Sequence, residues 1–271
     1  MDNFCSGSFS RSSISYVGGG CALNSVRVFQ WLSGVEKKCV FLGGLGVDDS
    51  GAVLDNLVKN DGVLTSFALH SDLPTGHCIA LVDGDERTLC ANLGAAAKYE
   101  TRDLWTEKNL PLLKNSKVIY VEGYFLSHSF ETTMELATFA KTNQITFVFN
   151  LCGEYVCQDI TYVENVLKIL PFVNFIFGNR SEFDVFMKTV EAKLNTFPEV
   201  IKNLHCMIKE SDDKETDDTI ASTDNLIAIV TEGYKPVQCY SVGERLQSMA
   251  VEVPRVPKEM VKVGRKSQGG I

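Results

Sequence analysis

Asn179 and Glu182 stand three residues apart at the end of the apolar run VNFIFGN. An amide and a carboxylate at that spacing can close the first turn of a helix, each side chain taking the other's backbone N–H. They can also organise hydrated Mg2+ beside phosphates, because Mg2+ keeps most of its waters and takes few protein oxygens. Arg87, in DGDERTLCANLG, is either a solvated hairpin charge or a cation that offsets charge developing on a phosphoryl group. Thr231 and Gly233, in LIAIVTEG, make either a plain turn or a backbone-lined rim for a nucleotide. Gly18-Gly19-Gly20 runs into CALNSVRVFQWL, a helical pattern with almost no polar face. That is either a tight entry turn or a close backbone approach to a ligand over unpaired helix N–H groups.

These groups belong to an acidic chain of 271 residues with a net charge of −8 and a pI near 5.1. A nucleic-acid binder would carry a basic footprint, so that class is disfavoured. At 45% hydrophobic residues the chain can bury a sizeable core. Nine cysteines, an odd number with no CxxC pair, read as mostly buried thiols in a reducing compartment. The four histidines have no paired spacing, which argues against a protein-built metal cage. No apolar run approaches the ~20 residues of a membrane span. The N-terminus lacks a signal-peptide core. A cytoplasmic protein bound to neither nucleic acid nor membrane is expected.

Periodicity supplies the elements that must position the groups. Residues 1–15 read as a frayed lead-in and 20–32 as a buried helix. A strand at 38–42 precedes a helix capped by Asp49 or Ser50, with Val53, Leu54, Leu57 and Val58 on one stripe. Residues 64–70, 77–82 and 87–91 read as strands of one small β element, with a hairpin turn at Asp83-Gly84. From Ser116 the pattern alternates: strands at 116–124, 145–150, 173–179 and 226–233, helices at 130–140, 162–170 and 182–193. That alternation predicts a parallel sheet covered by helices. The acidic stretch 209–224 reads as a solvated loop. Ligands of such sheets bind at the carboxyl ends of the strands. There the chain places Glu122–Phe125, Asn150–Cys152, Gly178–Glu182 and Thr231–Gly233.

The motifs GGxxxNSV with QWL, GGLGVDDSG, LPTGHC, RTLCANLGAAA, EGYFL, NL, FGNRSE and TEG follow one another from about Tyr16 to Gly233. In that order the chain resembles the adenosine kinase branch of the ribokinase-like (PfkB-type) kinases. The resemblance implies an α/β fold, a ribokinase-like αβα three-layer domain with a small β lid. Residues 1–18 and 64–92 would form the lid, and 19–63 with 93–271 the kinase domain. It implies transfer of the γ-phosphoryl of ATP to the 5′-hydroxyl of adenosine, with Mg2+, in purine salvage. By resemblance Gly20, Cys21 and Asn24 face the ribose, while Leu89, Ala91, Phe125 and Tyr155 enclose the purine with Cys78 near them in the lid. Arg87 faces phosphate, Asn179 and Glu182 form the Mg2+/phosphate motif, and Thr231 and Gly233 lie at the ATP rim.

The chain departs from the pattern in four places. Cys21 replaces a serine, a stronger hydrogen-bond partner than a thiol. Gly153-Glu154 replaces a small residue and a proline, which sets a charge near the purine wall unless it turns away. The family's opening GN..LD strand has no counterpart in MDNFCSGSFSRSSISYVGG, and no GAGD occurs in the chain, so no catalytic base is assigned. The resemblance therefore implies a chain truncated at both ends and inactive as it stands. The alternatives are a non-catalytic form that binds nucleoside or a partner, and a related sugar or nucleoside kinase. The oligomeric state is left open.

Overall fold

The computed structural model describes residues 17–83, 86–193, 226–242 and 247–251. The lead-in at 1–15, the loop at 209–224, Cys5 and Cys206 lie outside the described residues. The chain divides into two compact units, Met1–Ala96 and Ala97–Ile271.

In the first unit α1 (Cys21–Ser33) leads to β1 (Val40–Gly46), α2 (Asp49–Asn60), β2 (Leu64–His70), β3 (His77–Asp83) and β4 (Glu86–Asn92). The start of α1 is set by Gly20, whose φ of 111° disfavours any residue with a Cβ. Gly34, in the left-handed region, ends the helix. Leu23 is buried with Cys39, Val58 and Val63, and Val26, Leu54 and Leu57 pack against them. The sequence suggested a buried α1, but only Leu23 and Gln30 are buried; Val28, Phe29, Trp31 and Leu32 are exposed. An apolar residue on every face does not bury every face, because this small unit covers a single stripe. Gln30 fits the interior because its amide oxygen accepts from the N–H groups of Lys38 and Cys39 and its amide donates to the Val35 carbonyl.

The cap of α2 is Asp48, one residue before the predicted position; its carboxylate accepts from Gly51 N at 2.7 Å. It also accepts from the Thr75 hydroxyl at 2.6 Å and the Thr75 N–H at 2.7 Å, tying α2 to the segment before β3. These bonds, the Thr75 hydroxyl foremost, hold the Asp48 carboxyl below its usual range. Of the predicted stripe, Val58 is buried and Leu54 and Leu57 half-buried, while Val53 faces solvent. The expected three-stranded β element is also revised. Strand β2 pairs with β1 in parallel, Val40 opposite Leu64, and the hairpin β3–β4 stands as a separate pair. The helix between β1 and β2 returns the chain to run alongside in the same direction, which a hairpin turn cannot do.

The second unit starts with short helices α3 (Thr101–Leu104) and α4 (Asn109–Lys114). It continues through β5 (Val118–Glu122), α5 (Gly123–Leu126), α6 (Phe130–Thr142), β6 (Thr146–Asn150), α7 (Glu154–Cys157), α8 (Ile160–Ile169), β7 (Phe175–Asn179), α9 (Arg180–Lys193), β8 (Leu226–Thr231), β9 (Val237–Val242) and β10 (Gln247–Val251). The strand order is β10-β9-β8-β7-β6-β5. Strands β5 to β8 run parallel, as predicted, whereas β9 and β10 extend the sheet antiparallel and were not anticipated. Phe147, Phe149, Ile176, Phe183 and Phe186 form its interior, each no more than 1% exposed. Strands flanked by helices bury both faces, so their sequences read as near-continuous apolar runs.

Candidate functional site

Four parallel strands end side by side in the second unit. Glu122 of β5 pairs with Asn150 of β6, Asn150 with Phe177 of β7, and Asn179 of β7 with Thr231 of β8. One sheet edge thus collects a carboxylate, two amides and a hydroxyl. The chain leaves β5 directly into α5, and Gly123 permits that turn: a Cβ there would lie 2.2 Å from the Tyr162 hydroxyl.

Glu122 is buried, and it is not alone. The Tyr120 hydroxyl donates to its Oε1 at 2.6 Å, and the Cys152 thiol donates to its Oε2. Asn150 in turn donates to the Tyr120 oxygen at 3.1 Å and accepts from Cys152 N at 3.3 Å. The Gly123 N–H points at Cys152 Sγ, 3.0 Å away. Burial, with the Glu122 carboxylate beside it, pushes the Cys152 thiol far above the usual thiol range. Cys157 is pushed up to about 12, chiefly by burial, with Glu182 and Glu154 adding to it. Residues Glu122, Tyr120 and Cys152 were not assigned a role from the sequence. Their only local signal is position at or beside strand ends.

Asn179 and Glu182 close the first turn of α9 on each other. The Asn179 N–H donates to Glu182 Oε2 and the Glu182 N–H to Asn179 Oδ1, both at 2.8 Å. The capping arrangement considered from the sequence is therefore present. It does not exhaust the pair, since it engages a single Glu182 oxygen. Burial raises the Glu182 carboxyl above its usual range; the Asn179 N–H offsets this, and Glu154 and Glu122 add to it. The Ser181 hydroxyl lies 2.5 Å from Glu154 Oε1 and 2.8 Å from Asn179 Oδ1. Glu154 thus turns toward the Asn179–Glu182 turn. Among the described residues no three His, Cys, Asp or Glu side chains form a cage for a metal ion. Two carboxylates beside an amide and a hydroxyl do fit hydrated Mg2+, which is commonly held by one or two carboxylates with waters and phosphates.

The aromatic candidates are divided. Phe125 meets Tyr99 edge-on, with centroids 6.0 Å apart, while Tyr155 stacks on Tyr124 at 6.0 Å and 25°. Each of the two rings packs on a different partner. Tyr124 is anchored by its hydroxyl, which donates to the Cys152 carbonyl at 3.0 Å. Tyr155 is 68% exposed. Thr231, the last residue of β8, and Gly233 beyond it are exposed, Gly233 with a φ of 56°. Between them Glu232 pairs with Lys235 at 2.5 Å and with Arg180 at 3.8 Å.

In the first unit Gly20, Cys21 and Asn24 form the first turn of α1, where Asn24 N donates to the Gly20 carbonyl at 2.8 Å. All three are exposed. On the hairpin Cys78 pairs with Ala91 and Ala80 with Leu89, so alternation places Cys78, Leu89 and Ala91 on one exposed face. Arg87 pairs with Val82 in the same register. The thiols are less buried than expected: Cys39 and Cys157 are buried, Cys152 and Cys239 intermediate, and Cys21, Cys78 and Cys90 exposed, with no disulfide among these seven.

The family model of the pfkB family carbohydrate kinases matches residues 6–262. An adenosine kinase of Dictyostelium discoideum is 29% identical over 176 residues, 65% of this chain and 51% of its own length. Adenosine kinase 1 of Arabidopsis thaliana is 28% identical over 242 residues, 89% of this chain and 67% of its own. Anopheles gambiae adenosine kinase, solved in complex with P1,P4-di(adenosine-5) tetraphosphate, aligns with a TM-score of 0.74 at 28% identity, over 90% of this chain and 68% of that one. Schistosoma mansoni adenosine kinase with 2-fluoroadenosine aligns at 0.76 and 21% identity, a likeness of fold, over 92% and 69%. The chain spans about half the length of the Dictyostelium relative. No helix among the described residues is long and apolar enough to cross a membrane.

Proposed function

This chain belongs to the pfkB family of carbohydrate kinases, and we propose that its 271 residues carry the nucleoside-facing and metal-facing parts of a cytoplasmic adenosine kinase. The reaction is transfer of the γ-phosphoryl group of ATP to the 5′-hydroxyl of adenosine, giving AMP and ADP. One observation carries the reading: Glu122, Asn150, Asn179 with Glu182, and Thr231 end four neighbouring strands on one sheet edge. Open α/β sheets bind ligands at that edge. The relatedness to several adenosine kinases supports adenosine as the substrate.

The roles follow from each group's chemistry. Asn24 offers an exposed amide to sugar hydroxyls, and Gly20 and Cys21 offer close backbone. Phe125 and the Tyr124–Tyr155 stack offer flat apolar surface to a purine, and so does the hairpin face of Cys78, Leu89 and Ala91. Arg87 offsets phosphate charge. Thr231 and Gly233 lie on the ATP side. Asn179 and Glu182 would hold Mg2+, and the ion would supply charge neutralisation on the phosphates. No general base is assigned among these residues.

Titration calorimetry with adenosine tests the reading. Asn24→Ala is expected to lose one hydrogen-bond partner, ~0.5–1.5 kcal/mol or roughly 2–10-fold in affinity. Equal affinity of the variant and the parent chain removes Asn24 from the site. Absence of adenosine binding to the parent chain overturns the nucleoside assignment.

A further inference from the structure

The Asn179–Glu182 turn has a neighbour that the divalent-cation reading does not use. Glu154 begins α7, and 27 residues later in the chain Ser181 meets its Oε1 at 2.5 Å. The Ser181 hydroxyl also lies 2.8 Å from Asn179 Oδ1. The amide orientation of Asn179 is fixed, because its facing atom accepts from the Glu182 N–H at 2.8 Å and must be the oxygen. Ser181 Oγ therefore sits between two oxygens, one of a carboxylate and one of an amide. A hydroxyl has a single hydrogen to give. It can serve Glu154 or Asn179, so one of the two close oxygen–oxygen approaches goes without a proton. A cation can take the lone pairs of the oxygens left facing each other while the hydroxyl keeps its proton.

The surroundings point the same way. Glu182 is 7% exposed, and its Oε2 alone is engaged by the Asn179 N–H. Glu154 is exposed at the mouth of the same turn. The two carboxylates are thus joined through Ser181 and Asn179 in one chain of contacts, with a buried member and a solvent-facing member. A third acid, Glu122, is buried in the same unit and already accepts from Tyr120 and Cys152.

We propose that Glu154 is a further member of the divalent-cation site, coupled through Ser181 to Asn179 and Glu182. The inference rests on the assignment of Asn179 and Glu182 to Mg2+ made above. It assigns the charge at Gly153-Glu154 to the metal side of the site, away from the purine. It also makes the cation affinity of this chain depend on a residue outside the Asn179–Glu182 pair.

The test is Mn2+ binding to the full chain without nucleotide, read from the loss of the free Mn2+ electron paramagnetic resonance signal. Mg2+ competition then converts the result to the physiological ion. Removing a supporting or ligating group from a metal site typically costs ~10–100-fold in affinity. Glu154→Gln is expected to weaken Mn2+ binding about 10-fold, with Ser181→Ala weaker in the same direction and Glu154→Asp partly restored. Glu182→Gln is expected to lose binding altogether. Circular dichroism melts of each variant separate lost binding from lost folding. Unchanged Mn2+ affinity in Glu154→Gln, with binding lost in Glu182→Gln, overturns the inference and leaves the Asn179–Glu182 assignment standing. No saturable Mn2+ binding to the parent chain, or full binding by both variants, overturns both.

Discussion

The exposed candidates of the first unit contrast with the strand-end network of the second. In Met1–Ala96 the candidates Asn24, Cys78, Leu89 and Ala91 are exposed, on the first turn of α1 and one face of the β3–β4 hairpin. In Ala97–Ile271 Glu122 and Glu182 are buried, each with defined donors, and Asn150, Cys152 and Asn179 are bonded around them. Beneath that edge lie Phe147, Phe149 and Ile176, almost wholly buried. The contrast is between groups fixed before any ligand arrives and groups whose partners would be the ligand. A polar group fixed in a buried network needs little reorganisation when charge appears beside it. An exposed amide or apolar side chain gains most from the surface that a ligand covers.

Four measurements break or sharpen the contrast. Phe149 is 0% exposed in the sheet interior. Phe149→Ala is expected to cost about 3–5 kcal/mol by urea unfolding, from lost burial and the cavity left behind. A cost under about 1 kcal/mol means the strand-end network does not rest on a packed core.

Thiol labelling compares the units directly. Cys21, Cys78 and Cys90 of the first unit are exposed, whereas Cys157 of the second is buried with its thiol pushed up to about 12. The thiolate is the reactive form. At about pH 8 the first three are expected to react with iodoacetamide at least a hundredfold faster than Cys157 and Cys152, as read by peptide mass spectrometry. Comparable rates break the distinction.

Acid behaviour is a smaller effect with a definite sign. Thr75 and Gly51 hold the Asp48 carboxyl below its ordinary value. A carboxylate lowered by folding contributes stability that is complete above its unfolded pKa of ~3.9 and is lost as pH falls through the lower native value. Asp48→Asn removes that titration, so its melting temperature is expected to fall less steeply below about pH 4 than that of the parent chain. Identical pH profiles exclude Asp48 as the acid-sensitive tie of the first unit. The smallest change is expected at Trp31, 77% exposed on α1. Trp31→Ala is expected to stay within ~0.5 kcal/mol. A larger loss means that the exposed face of α1 is packed in solution.

The amino-acid sequence by itself determined the elements whose signals are local. The β5-to-β8 alternation, the parallel strands and the residues at their carboxyl ends were legible, because apolar runs, caps and turns act over a few residues. The ordered motifs carried the family. Tertiary structure alone decided what depends on distant partners. It paired β2 with β1 instead of the hairpin and left most of the apolar α1 exposed. It gave Phe125 and Tyr155 separate partners. It also brought Glu154 against Ser181 and Cys152 against Glu122, contacts spanning 27 and 30 residues. Periodicity says which face of an element is apolar; what meets that face is settled only when the chain folds back on itself.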